Sequence, residues 1–146
     1  MDRHQVNGVI CELLAAAWFT QNGFIVSWPT DKTVEYDFII DNKDDSPKRV
    51  QVKKIYYDNS KNRYIASLVL THKQSDGKTR NKKYKKGAFD ICAFVCADEN
   101  AIYIIPFEFV HGRRSITFYP NDLGNPEFKR PFNYEEFKRV LIPINE

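Results

Sequence analysis

Long apolar runs are missing from this chain. Nowhere in its 146 residues do hydrophobic side chains continue for the about 20 positions that a membrane-spanning helix needs. The N-terminus opens on Asp2, Arg3 and His4, where a secretory signal would place a hydrophobic region. These two absences predict a soluble, cytoplasmic protein with no membrane partner. Cysteine is scarce as well. Cys11, Cys92 and Cys96 are odd in number, lie in apolar stretches and form no CxxC pair, which excludes a disulfide framework and predicts reduced core residues. His4, His72 and His111 are scattered without metal-ligand spacing and are read as incidental. Charge is nearly balanced: a net +3 and a pI near 8.7 exclude a histone-like polycation, so the placement of the positive charge matters more than its total. No repeat, linker or low-complexity segment divides the chain. Residues 1–146 therefore read as a single domain, long enough to bury most of its apolar surface without disulfides or metal.

What is present reads as an α/β (α+β) domain. Gln5 to Asn22 has Ile10, Leu13, Leu14 and Ala17 at helical spacing, and Asn22-Gly23 supplies the stop. Apolar side chains fill most of its circumference, which predicts a helix packed on several sides. Phe24 to Trp28, Val34 to Asp41, Arg49 to Tyr57, Tyr64 to Leu70, Phe89 to Ala97, Ala101 to Ile105 and Ser115 to Tyr119 read as strands. A long polar loop is expected from Thr71 to Gly87, a helical turn over Pro106 to Val110, and a C-terminal helix over Tyr134 to Val140. The polar segment Asn42 to Lys48 has turn chemistry and joins two of the strands into a hairpin.

Glu12 is the only charged side chain between His4 and Asp31, and it sits in the middle of the apolar helix. Asp37 opens one hairpin strand, and Gln51 and Lys53 lie on the other. Residues two apart on a strand share a face, so Gln51 and Lys53 point together while Val50 and Val52 face the other layer. A turn centred near Asp44 or Asp45 places Asp37 opposite Gln51 or Lys53, and a one-residue slip would separate them. Each residue has an ordinary alternative. A Gln-x-Lys strand can be a solvated face, Asp37 can cap a turn, and Glu12 can pair with Arg49; Asp90, leading into a core strand, reads as structural.

The residue types fit phosphodiester hydrolysis. That reaction needs charge stabilisation at a non-bridging oxygen and an activated water, both of which a hard divalent cation supplies. Magnesium takes oxygen ligands and keeps several waters, so one or two carboxylates with a neutral oxygen suffice. Asp37 offers a carboxylate, Gln51 an amide oxygen and Glu12 a second carboxylate, while Lys53 suits orienting water or neutralising phosphorane charge.

Gly8-Val9-Ile10-Cys11-Glu12, Asn22-Gly23-Phe24-Ile25-Val26, Tyr36-Asp37-Phe38-Ile39-Ile40-Asp41 and Val50-Gln51-Val52-Lys53 occur in an informative order and spacing. Tyr84-Lys85-Lys86-Gly87-Ala88-Phe89-Asp90 and Ala101-Ile102-Tyr103-Ile104-Ile105-Pro106 continue it. In these pieces the chain resembles the PD-(D/E)XK nucleases, and among them the group I intron-encoded homing endonucleases with glutamine in the third motif. The resemblance implies a restriction-endonuclease-like core, a mixed central sheet flanked by helices. It implies an active centre of Glu12, Asp37, Gln51 and Lys53, with the Val52 carbonyl as a further metal ligand. It also implies Mg²⁺ as cofactor, with Mn²⁺ able to substitute, double-stranded DNA as substrate, and a symmetric homo-oligomer, dimer or tetramer. Gln51 departs from the acidic residue of the wider superfamily and leaves one or two metals per site open. A Holliday junction resolvase, with a similar layout, and a catalytically idle DNA-binding module are the alternatives.

Most of the positive excess is concentrated in one segment. Lys73, Gln74, Lys78, Arg80, Asn81, Lys82, Lys83, Lys85 and Lys86 crowd the polar loop, with Arg113 and Arg114 a smaller basic pair. Such a run is either a solvated loop or a nucleic-acid surface, with lysines on phosphates and Arg80, Asn81 and Gln74 suited to base edges. The tail residues Phe128, Pro131, Phe132, Tyr134, Phe137, Val140 and Leu141 are either a subunit interface or part of the chain's own core.

Overall fold

A computed structural model of the chain describes residues 2–73, 76–118 and 134–143, without the side chains of residues 70–73 and 79–81. The helix α1 spans Arg3–Gln21. It starts two residues before the expected Gln5 because Asp2 and Gln5 form a reciprocal cap. The Gln5 N–H donates to the Asp2 carboxylate at 2.8 Å, and the Asp2 N–H donates to the Gln5 amide oxygen at 3.0 Å. Gly23, at φ 88°, ends it as the Asn22-Gly23 pair predicts.

Eleven strands follow among the described residues: β1 (Ile25–Ser27), β2 (Phe38–Asp41), β3 (Lys48–Lys54), β4 (Tyr56–Asp58), β5 (Arg63–Ser67) and β6 (Val69–Lys73), then β7 (Thr79–Lys83), β8 (Ile91–Cys96), β9 (Ala101–Pro106), β10 (Ser115–Phe118) and β11 (Lys138–Val140). Six of them form the central sheet in the order β1-β2-β3-β8-β9-β11, with β3 and β8 parallel and the other neighbours antiparallel. A second sheet, β10-β5-β4, and a two-stranded ribbon of β6 and β7 complete the fold.

Alternation along the central strands divides the core into two layers. Val50 and Val52 of β3, with Ala93 and Val95 of β8, pack against Cys11, Ala15, Ala16 and Phe19 of α1. Cys92 and Phe94 point the other way, onto Ile55, Leu68, Phe118 and the rest of the second layer. Phe19 and Phe38, essentially inaccessible, meet edge to face at 5.9 Å across the α1 interface. Removing such a ring from water contributes about 1.5–3 kcal/mol. All three cysteines are free and buried, as expected.

Several expectations need correction. The segment Thr71 to Gly87 is not one long loop: β6 and β7 pair in register, with Val69 opposite Lys83 and Lys73 opposite Thr79. The expected strand Arg49 to Tyr57 breaks at Ile55, whose N–H donates to the Val95 carbonyl before the chain crosses into the second sheet. Tyr64 to Leu70 likewise breaks at Leu68, which donates to the Arg114 carbonyl at 2.8 Å. The expected C-terminal helix is a single 3₁₀ turn, Glu135–Phe137, leading into β11, because Val140 finds open backbone partners on the β9 edge opposite Ala101. Nor is α1 packed on several sides. Val6, Val9, Ile10 and Leu13 are 40–58% exposed along its outer face. Among the described residues no helix is long and apolar enough to cross a membrane.

Candidate active site

The ladder between β2 and β3 ends at Phe38 opposite Val50, and the preceding residue, Asp37, donates its N–H to the Val50 carbonyl at 2.8 Å instead of pairing with Gln51 or Lys53. The expected strand from Val34 shortens to Phe38 for a visible reason. The Val52 N–H, which a longer β2 would take up with a backbone carbonyl, donates instead to the Asp37 carboxylate at 2.6 Å. Asp37 therefore sits where the two strands part, and there α1 brings Glu12 across from the opposite layer. The two carboxyl groups face each other closely enough for each to shift the other's titration.

Gln51 and Lys53 share the face away from α1, as their spacing requires. The Gln51 amide nitrogen lies 3.5 Å from the Val52 carbonyl oxygen. A half-turn of the amide puts its oxygen in that place without moving the strand, so two neutral oxygens can face the carboxylate pair. Lys53 is half-buried, with its amine 5.0 Å from the centre of the Tyr84 ring. Glu12 and Asp37 also line a cleft of about 200 Å³ with Trp28, Pro29, Lys32 and Tyr36. Thus Glu12, Asp37, Gln51, Val52 and Lys53 converge, and the alternative partner for Glu12 is taken. Arg49 instead holds Asp90, through its backbone N–H at 2.8 Å and its guanidinium at 3.3 Å.

The electrostatics of the pair suit a cation. Burial and the facing Asp37 carboxylate push Glu12 up to about 7. Burial also raises Asp37, against the pull of the Val52 N–H, Glu12 and Lys53. Burial holds the Lys53 amine below its ordinary value, opposed by nearby Cys92 and Asp37. Without a metal the site therefore keeps a proton near neutrality, where two carboxylates and two neutral oxygens could hold a hard divalent ion. No cluster of three His, Cys, Asp or Glu occurs among the described residues, so any ion would rely on Gln51, the Val52 carbonyl, water and substrate for the rest of its shell.

A stability signature follows from the raised carboxyl groups. Between an ordinary glutamate value of 4.5 and the folded value of about 7, the native state binds more protons than the unfolded chain. Stability contributed by that proton is complete at the acid end and is lost as pH rises through the window. Thermal unfolding of the metal-free protein should show a falling midpoint from pH 5 to 8. Glu12→Gln should flatten that fall, and Mg²⁺ should raise the midpoint far more at pH 8 than at pH 5.

The basic residues gather beside the ribbon. Lys78, Lys82, Lys83, Lys85 and Lys86 are exposed on or next to it. Lys73, Arg80 and Asn81 lie on its strands with their side chains outside the described set, and Gln74 lies wholly outside the described residues. Arg114 joins the ribbon's base through the Leu68 bond, with Arg113 next to it in the chain. Of the tail, Tyr134 and Leu141 are buried in the chain's own core and Val140 is exposed. Phe137 packs against that core, and Phe128, Pro131 and Phe132 lie outside the described residues. The sequence reading missed Lys32 and Tyr84 as neighbours of the centre. For Tyr84 the one available signal was an isolated aromatic within a basic run.

The profile of the PD-(D/E)XK endonuclease family matches residues 1–135. No curated protein sequence matches significantly. Among solved structures, that of the bacterial homing endonuclease I-Ssp6803I is similar, with a TM-score of 0.76 at 16% identity, covering 94% of this chain and 89% of that one. At that identity the likeness shows the fold alone, a mixed sheet backed by a helix. The family match takes in all five converging positions, and the chain belongs to the PD-(D/E)XK endonuclease family.

Proposed function

We propose that the protein is a Mg²⁺-dependent, site-specific endonuclease that hydrolyses phosphodiester bonds of double-stranded DNA, of the intron-homing type. One domain carries the activity, and a homo-oligomer, dimer or tetramer, delivers one centre to each strand. The observation that carries this reading is the meeting of Glu12 and Asp37 at the open end of the hairpin, with Lys53 beside them. Asp37, Glu12, the Val52 carbonyl and Gln51 would hold the ion. When bound, a divalent cation neutralises charge on the scissile phosphate and eases deprotonation of the attacking water. Asp37 fixes the position of the centre through its bond to the Val52 N–H. Glu12 would contribute its carboxylate as the second negative charge of that set. Lys53 supplies a positive charge beside the phosphate as negative charge builds on its oxygens. Buried reduced cysteines fit action in the cytoplasm.

The β6–β7 ribbon is the proposed DNA surface, since a two-stranded ribbon fits the major groove and its exposed lysines suit phosphates. Alanine at Lys82, Lys83 and Lys86 should weaken binding to every duplex. Each lost phosphate contact should flatten the log–log salt dependence by about 0.9. An unchanged slope would remove the ribbon from the interface.

The homing-type reading draws on the glutamine motif and on the likeness to a bacterial homing endonuclease. Cleavage of randomised duplex DNA with Mg²⁺, set against four-way junctions, tests it. Cutting of long linear sites supports it, junction-restricted cutting assigns a resolvase, and binding without cutting assigns an idle module.

A further inference from the structure

Lysine is a flexible chain ending in a point charge, and a reaction that uses it benefits when its rotamers are restricted. Among the described residues no carboxylate is ion-paired with Lys53. Its charged neighbour Asp37 already accepts from the Val52 N–H at 2.6 Å. What lies under the amine is the face of Tyr84, at 5.0 Å from the ring centre, within cation–π range. That ring is itself fixed. It is only 7% exposed, stands edge-on to Phe89 at 5.0 Å and 77°, and belongs to the same buried layer as Cys92. It is also the first residue after β7, so the backbone that carries the basic ribbon ends on the wall of the reaction centre.

We propose that Tyr84 is a positioning residue for the cleavage reaction, its immobilised ring face confining the Lys53 ammonium beside Asp37. The inference rests on the nuclease reading above and adds to it a residue outside the Glu12, Asp37, Gln51 and Lys53 set. The ring face matters and the hydroxyl does not, which separates this role from proton transfer by the phenol.

Two substitutions and one graded series at position 84 of the full chain test it. Tyr84→Phe keeps the face and should cleave within about twofold of wild type. Tyr84→Leu keeps apolar bulk without a face, and should lower kcat on the order of tenfold or more with KM for duplex DNA unchanged. Phenylalanines of increasing fluorination at position 84 keep the shape while draining the face of negative charge, so kcat should fall stepwise with fluorine number. This series decides the matter if the leucine variant does not fold. A readout independent of activity is the ring-current shift of the Lys53 ε-methylene protons in ¹³C-lysine-labelled protein, present in wild type and Tyr84→Phe and lost in Tyr84→Leu. Wild-type kcat in Tyr84→Leu, equal impairment in Tyr84→Phe, or an effect on KM alone would overturn the proposal. A wild-type chain that cuts no DNA would overturn the nuclease reading, and the ring-current shift would then support or overturn the Tyr84–Lys53 contact by itself.

Discussion

Asp37→Asn is expected to lower the single-turnover rate of DNA cleavage on the order of a thousandfold, while duplex affinity measured in Ca²⁺ stays close to wild type. The magnitude is that of removing a fixed charge from the point where transition-state charge is stabilised. The substitution is a narrow one. An Asn oxygen still accepts from the Val52 N–H, the 2.6 Å bond that holds the open end of the hairpin, so the fold around the site should survive. What disappears is the negative charge facing Glu12, and with it a repulsion that raises the Glu12 pKa. The metal-free variant should therefore unfold at the same temperature or higher, and only the response to Mg²⁺ should collapse. Parallel cleavage and thermal unfolding measurements separate these effects. A variant that cuts at the wild-type rate would remove Asp37 from the centre.

The second large effect is expected at Lys53. Replacing it with Met keeps an unbranched stem against Tyr84 and deletes the charge, which should cost on the order of 10²–10³-fold in kcat with little change in KM. Lys53→Arg should not restore the rate, because a planar, larger guanidinium cannot occupy the place of a compact ammonium at 5.0 Å from the ring. Measured kcat and KM for the two variants against wild type check this. A loss confined to KM would place Lys53 among the phosphate-binding lysines instead.

The residues of the proposed centre could be brought together from the sequence because they lie on elements with strong periodicity. Val50 and Val52 face the α1 layer, which sends Gln51 and Lys53 to the other side, and the Asn42 to Lys48 turn sets the register to within one step. The free, buried cysteines and the Asn22-Gly23 stop were legible for similar local reasons. The ribbon of β6 and β7 was not, because it carries polar and charged residues without the apolar alternation by which a half-buried strand announces itself. Tyr134 to Val140 spaces its apolar residues as a helix would. The structure makes it a turn and an edge strand because the exposed edge of β9 offers backbone partners that no local signal reveals. Proximity of Tyr84 to Lys53 depends on how the ribbon returns to the core, a tertiary fact with no counterpart in spacing. The exposed apolar face of α1 shows the limit of patterning from the other direction: an all-round apolar helix here buries one side only.

The most direct test of the central claim is anomalous diffraction from crystals of the protein bound to duplex DNA and soaked with Mn²⁺. A peak within coordination distance of the Asp37 carboxylate and the Val52 carbonyl, with Glu12 and Gln51 turned toward it, is the expected result. A divalent ion bound elsewhere in a cleavage-competent complex, away from Glu12 and Asp37, would contradict the account.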